Sequence, residues 1–222
     1  MRRTKRKNKN ALIAVLLLLV IALLAAGRTI AWLTKTSSIS NTFTVGTFTT
    51  PKTDPKDPTK TINIDGNLYE PSWDSKAEHK LVPAASFSKD PYVGIGPGSE
   101  DAVVYVYVKN TLSNKVYFTL NEGWEAVSGH VTAGFAENTY TSGLFRYTAG
   151  LTASNSDTVW TSKPIFNQIV TDNEATAQDF TAKQGEDLEI VVTSFLHQAK
   201  DSTGATISIQ DVIEPAAIAT LE

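Results

Sequence analysis

Residues 101–110, DAVVYVYVKN, form the clearest strand signal in this 222-residue chain. Valine and tyrosine at odd positions alternate with valine at positions 104, 106 and 108. Successive side chains of a strand point to opposite faces, so both faces of this strand would be apolar. Such a strand is typical of the centre of a sheet that is covered on both sides. The stretch therefore predicts the central strand of a β-sandwich.

Several short segments rich in β-branched and aromatic residues surround this strand, and clusters of Gly, Asn, Asp and Ser separate them. The pattern predicts an all-β, jelly-roll-like β-sandwich over residues 61–222, with short helices only at 173–181 and 213–221. Residues 112–114 predict a tight hairpin between the central strand and the next one. The further predicted strands are 115–120, 144–147, 158–161, 165–170, 188–196 and 205–210.

The N-terminus has the three parts of an export signal. Six of the first ten residues are basic, residues 11–26 are an unbroken apolar run, and small residues stand at positions 29 and 31. This arrangement predicts a signal peptide over residues 1–31 that is cleaved between Ala31 and Trp32. An uncleaved N-terminal anchor is the alternative, and in both cases the rest of the chain is exported. The absence of Cys is common among exported proteins of Gram-positive bacteria, so we expect an exported protein of such an organism.

The formal net charge of −3 combines two unlike parts. Residues 1–31 hold seven of the 20 basic residues and none of the 23 acidic ones, so the remainder carries about ten net negative charges. Nucleic acid is therefore an unsuitable partner, and membrane contact is expected only through the signal peptide before cleavage.

Two distinct segments follow the predicted cleavage site. Residues 32–50 are rich in Thr, Ser, Phe and Val and predict an extended N-terminal strand. Residues 51–60, PKTDPKDPTK, contain three prolines and charges of both signs, which predicts a solvated, semi-stiff linker. The N-terminal strand would then be tethered to the body of the protein.

No arrangement of residues indicates catalysis. The absence of Cys excludes disulfides, thiolate metal sites and a Cys nucleophile. His79, His130 and His197 show no zinc-site spacing, and the Gly-rich residues 94–99 predict a turn rather than a phosphate-binding loop. We therefore predict no catalytic residue, no cofactor and no metal, while a metal held by dispersed His or carboxylates stays open.

Aromatic side chains allow two interpretations. They would either line a sugar-binding face or pack in the core and rim of the sandwich, and packing is the more common case. The residues concerned are Tyr69, Trp73, Tyr92, Tyr105, Tyr107, Trp124 and Trp160.

Two stretches resemble a known family. GRTIAWLT at 27–34 with SNTFTVG at 40–46 is similar to signals processed by the SipW-type signal peptidase. LVP at 81–83, FSKDPYV at 87–93 and GSEDA at 98–102 resemble the core motifs of the TasA/camelysin family of exported bacterial proteins. Ala84 departs from that pattern, since the family has Gly after the proline.

The resemblance implies a jelly-roll fold and a structural subunit of biofilm-matrix fibres, which grow by donor-strand complementation with copies of itself or related subunits. A donated strand satisfies the unpaired backbone of an incomplete sheet. The anchors of the donated strand would be Phe43, Val45 and Phe48. A bulge at Gly46 would let all three side chains face the groove of the receiving subunit. The alternatives are a monomeric cell-surface binding or adhesion module and a camelysin-type metalloprotease, for which this chain has no zinc motif.

Overall fold

The computed structural model describes residues 40–43, 48–74, 79–180, 188–200 and 203–207. The predicted signal peptide and the predicted helix at 213–221 lie outside these residues, and within them no helix is long and apolar enough to cross a membrane. The strands are β1 Ser40–Phe43, β2 Leu68–Tyr69, β3 Ser86–Ser88, β4 Tyr92–Ile95, β5 Ala102–Asn110, β6 Val116–Thr119, β7 Trp124–Ala133, β8 Thr139–Leu151, β9 Val159–Trp160, β10 Gln168–Thr171 and β11 Ile190–Gln198.

The strands form a larger and a smaller sheet. The larger sheet has the order β1-β11-β5-β8-β6-β10-β3, with β7 paired to β8, and the smaller sheet has the order β2-β4-β9. All of these pairs are antiparallel except β1 with β11, which is parallel. The prediction of an all-β, sandwich-like fold is confirmed.

Strand β5 lies at the centre of the larger sheet, as its apolar pattern predicts. It pairs with β11 over all nine of its residues and with β8 on its other side. Val104, Val106 and Val108 are fully buried and share one core with Leu68 and Val93 of the smaller sheet. Burial of these side chains between the two sheets is the main stabilising contribution of the sandwich.

The predicted hairpin between β5 and β6 is wrong. Strand β6 pairs with β8 and β10, and β8 lies between β5 and β6. The residues 111–115 form a turn that the Asn110 amide closes, since its Nδ2 donates to the carbonyls of Ser113 and Val116 at 3.0 Å each. The turn was therefore predicted in the right place, but the thirteen-residue strand β8 takes the position beside β5.

The predicted helix at 173–181 is represented by one 3₁₀ turn, Ala177–Phe180. The Asp179 carboxylate accepts from the backbone N–H of Thr176 at 2.6 Å and from its hydroxyl at 2.7 Å. These hydrogen bonds hold the pKa of Asp179 below its usual value. Because the Asp179 side chain bonds to the backbone three residues earlier, it favours one 3₁₀ turn over a longer helix.

Residues 51–60 differ from the solvated linker that their composition predicts. Pro51 and Asp54 are buried, and the backbone of Asp54 donates to the Lys60 carbonyl at 2.9 Å. The segment turns back on itself and its ends are joined by a further bond from Ile62 N–H to the Lys52 carbonyl at 2.9 Å. Lys52 N–H also donates to Thr158 Oγ1 and the Thr53 carbonyl accepts from Trp160 Nε1, each at 2.9 Å, so the first residues of the segment pack against the body while residues 56–60 are exposed.

Ala84 adopts a left-handed backbone conformation with φ of 57°. Glycine takes this conformation at no steric cost, whereas a side chain with a Cβ is strained there. The glycine that the family resemblance implies at this position would fit the turn better than the alanine that this chain carries.

Candidate functional site

The candidate site is the edge of the larger sheet where β1 lies. Strand β1 pairs in parallel with β11, from Ser40 opposite Thr193 to Phe43 opposite Leu196. Among the strands that the structure describes it is the outermost on this side, so the other strands of the sheet keep their backbone hydrogen bonds when β1 leaves. The edge of β11 would then present a row of unpaired backbone groups, which is a template for another strand.

The chain is fixed to the body immediately after this edge, at Thr49. The Thr49 carbonyl accepts from Gly96 N–H at 2.8 Å and from Asn67 Nδ2 at 3.2 Å. The Thr49 N–H donates to Ser99 Oγ at 3.0 Å, and its hydroxyl donates to the Pro97 carbonyl at 2.8 Å. We call these contacts the Thr49 clasp. They set the boundary between the N-terminal arm and the body.

The three predicted donor-strand anchors all precede Thr49, and the structure describes the side chain of one of them. Phe43 ends β1, and its side chain lies outside what the structure describes, as do Val45 and Gly46. Phe48 is half-buried against the core of its own chain. Phe48 therefore packs with the body of its own chain and would not move with a donated β1. Ala31 and Trp32, the predicted cleavage site, also lie outside the described residues.

The sequence signal for the clasp was the Gly-rich stretch at 94–99, which was predicted as a turn. The structure has this turn at residues 96–99, whereas Gly94 and Ile95 belong to strand β4. The sequence did not predict the contact that this turn makes with the N-terminal part of the chain. The backbone of Thr50 passes directly over Gly96 of this turn, since a Cβ on Gly96 would lie 2.1 Å from the Thr50 carbonyl oxygen. Only a residue without a side chain permits this approach.

We expect Gly96→Ala to lower the free energy of unfolding by about 1–3 kcal/mol, the usual cost of an overpacked site. The added methyl group must displace Thr50 and weaken the clasp. Thermal unfolding measures the effect, with Ser86→Ala on the exposed strand β3 as the control. Equal melting temperatures for the two variants would contradict the close approach.

Two ion pairs, of which one is buried, account for Lys89 and Asp90 of the KDP motif at 89–91. Lys89 Nζ lies 2.8 Å from both carboxylate oxygens of Glu70, and these side chains are only 2% and 4% exposed. Asp90 pairs with Lys56 at 2.6 Å and accepts from Ser72 N–H at 2.8 Å. The hydrogen bond to Asp90 raises the pKa of Lys56. The motif thus ties the loops at 51–60 and 70–73 to the start of β4.

The three histidines are dispersed. His79 stacks on Trp73 with ring centroids 4.3 Å apart, His130 lies exposed on β7, and His197 lies on β11 with Nδ1 2.7 Å from the Gln198 carbonyl. No group of three or more His, Asp or Glu side chains suited to a metal ion occurs among the residues that the structure describes.

Fold and site together define an all-β, sandwich-like protein with two sheets among the described residues, and β1 lies at one edge of the larger sheet. No family model, no curated protein and no solved structure matches this chain. The edge strand and the clasp are therefore the features on which a functional proposal rests.

Proposed function

We propose that this chain is a secreted structural subunit of an extracellular biofilm-matrix fibre of the TasA/camelysin kind, released by a SipW-type signal peptidase. The observation that carries the proposal is the position of β1. It is the outermost described strand at one edge of the larger sheet, and it precedes the point at which the Thr49 clasp fixes the chain to the body. A neighbouring subunit would receive this strand at the edge of its own β11.

Exchange of β1 between subunits has a low energetic cost. The strand makes the same backbone hydrogen bonds with β11 of its own chain as with β11 of a second copy, as in domain swapping. When a copy gives its strand to one neighbour and receives a strand from another, the contact is heterologous and extends into a filament, whereas mutual exchange between two copies would close a dimer.

The segment between β1 and the clasp limits how far β1 moves in this exchange. Phe43 and Phe48 are five residues apart, and at about 3.3 Å per residue the chain between them spans at most roughly 17 Å. While the clasp holds, β1 therefore reaches only a β11 edge that lies within this distance of Phe48. The exchange thus requires neighbouring subunits that contact each other next to this edge.

The test compares a chain of residues 32–222 with one that begins at Phe48. The longer chain should form fibres visible by electron microscopy, and the shorter chain should stay monomeric by light scattering. A chain that begins at Thr61 is unsuitable, because it also lacks the buried Pro51 and Asp54.

A third chain serves as the control for arm length, with residues 32–47 replaced by a Gly-Ser sequence of equal length. It should fold with the melting temperature of the Phe48 chain and form no fibres. Fibre formation by either altered chain at the rate of the 32–222 chain would refute strand donation.

A monomeric cell-surface binding module is the second candidate. It is favoured by the pairing of β1 with β11 of its own chain, which is what a self-contained monomer would show. A chain of residues 32–222 that remains monomeric at high concentration, in both low and high salt, would support this function over the first.

A further inference from the structure

The outer face of the smaller sheet carries three aromatic side chains. Leu68 of β2 pairs with Val93 of β4, and both are buried in the core. Since side chains alternate along a strand, the next pair, Tyr69 and Tyr92, lies on the opposite face. Trp160 of β9 pairs with Gly94 and lies on that same outer face.

These residues form one surface, which we call the aromatic platform: Tyr69, Tyr92, Gly94 and Trp160. The three aromatic side chains are half-buried, in contrast to Trp124 and Tyr105, which are buried in the sandwich. The structure thus separates the aromatic residues that pack the core from those that remain accessible to a ligand.

The platform is held in place before any ligand binds. The indole of Trp160 lies over Gly94, where a Cβ would come within 2.3 Å of the ring. Trp160 Nε1 donates to the Thr53 carbonyl at 2.9 Å, and the ring centroid of Tyr69 lies 6.3 Å away at an interplanar angle of 40°. Rigid Trp and Tyr rings provide contact area at a low cost in conformational entropy.

Hydrogen-bonding groups border the platform on one side. The Lys56 side chain is 48% exposed, and its Nζ donates to Ser72 Oγ at 2.6 Å. Asp90, the partner of Lys56, precedes Tyr92 by two residues, which brings Lys56 to this end of the platform; burial raises the pKa of Tyr92 and the charge of Lys56 opposes that rise. The positive charge of Lys56 is balanced by Asp90 at 2.6 Å, so this border offers polar contacts without a net attraction for anions.

We propose that the aromatic platform binds a neutral polysaccharide built of pyranose units with equatorial hydroxyl groups. Such a sugar has a flat face of C–H groups that stacks on aromatic rings and an equatorial rim of hydroxyl groups that hydrogen-bonds to a polar border. A neutral ligand follows from the paired Lys56 and from the acidic balance of the chain after residue 31. The platform lies on the sheet that does not contain β1, so sugar binding and strand donation use different sheets.

Titration calorimetry of residues 32–222 with cellohexaose and chitohexaose tests the proposal, with polygalacturonate as an anionic comparison. At least one neutral hexasaccharide should bind, and Tyr69→Ala should weaken that binding about tenfold, which is the loss expected for one stacked ring. Phe135→Ala is the matched control, because Phe135 is an aromatic residue that is 54% exposed outside the platform.

Trp160→Phe provides a second variant that keeps a ring over Gly94, and it should weaken binding while the chain stays folded. The proposal is overturned when neither neutral hexasaccharide binds, when polygalacturonate binds as tightly as they do, or when Phe135→Ala weakens binding as much as Tyr69→Ala.

Discussion

Lys89→Met is expected to lower the free energy of unfolding by about 3–5 kcal/mol, because it leaves the carboxylate of Glu70 buried without its cation. Both side chains are almost fully enclosed, at 2% and 4% exposure, with Lys89 Nζ 2.8 Å from each carboxylate oxygen. The ammonium also lies 4.6 Å from the ring centroid of Trp73, so its removal loses a cation–π contact as well. Urea denaturation of the wild-type and variant chains measures the loss.

Lys163→Met is the matched control for this experiment. It removes an ion pair with Glu122 of 2.6 Å whose side chains are 50% and 85% exposed. An exposed pair contributes little, so this variant should unfold almost as the wild type does.

The double variant Lys89→Met with Glu70→Leu should recover most of the stability, since an apolar pair of similar volume replaces a buried ion pair at little cost. A loss from Lys89→Met no greater than that from Lys163→Met would contradict the burial of the pair.

Phe118→Ala is expected to cost about 3–5 kcal/mol, the range for removing a buried aromatic ring and leaving a cavity. Phe118 is fully buried, and its ring centroid lies 4.4 Å from that of Phe166 and 5.5 Å from that of Phe145. It stands on β6, so the cavity would open at the contact between β6, β8 and the residues before β10.

Chemical denaturation gives the size of this loss, and Phe135→Ala serves as the exposed comparison. Phe135 contacts Tyr117 and Lys115 at the surface, where truncation leaves no enclosed cavity. Similar losses for both phenylalanine variants would show that Phe118 is not enclosed as the structure describes.

The strongest strand was predictable from its own residues, and its neighbours were not. Strand β5 is apolar on both faces and was predicted with its bounds almost correct. Strand β7 was missed, because most of its residues are exposed and give little hydrophobic pattern. The partner of β6 was predicted wrongly, since sequence proximity favours a hairpin with β5 while the pairing with β8 depends on contacts far along the chain.

The candidate site was predictable only in part. The N-terminal strand was expected from residues 32–50, and a strand is found at Ser40–Phe43. Its boundary with the body was not, because the Thr49 clasp joins positions about fifty residues apart. The polar composition of 51–60 predicted a linker, yet Asp54 lies inside the fold, where its Oδ1 accepts from Lys56 N–H at 2.8 Å.

The sequence by itself determined the all-β class, the central position of β5 and the absence of thiol chemistry, because each follows from the composition or the alternation of a single segment. Only the tertiary structure decided that β1 lies beside β11, that Lys89 is enclosed with Glu70, and that Tyr69 and Trp160 share one face. These are pairings between distant segments, and their geometry is set by strand register and sheet order, which local patterns do not encode.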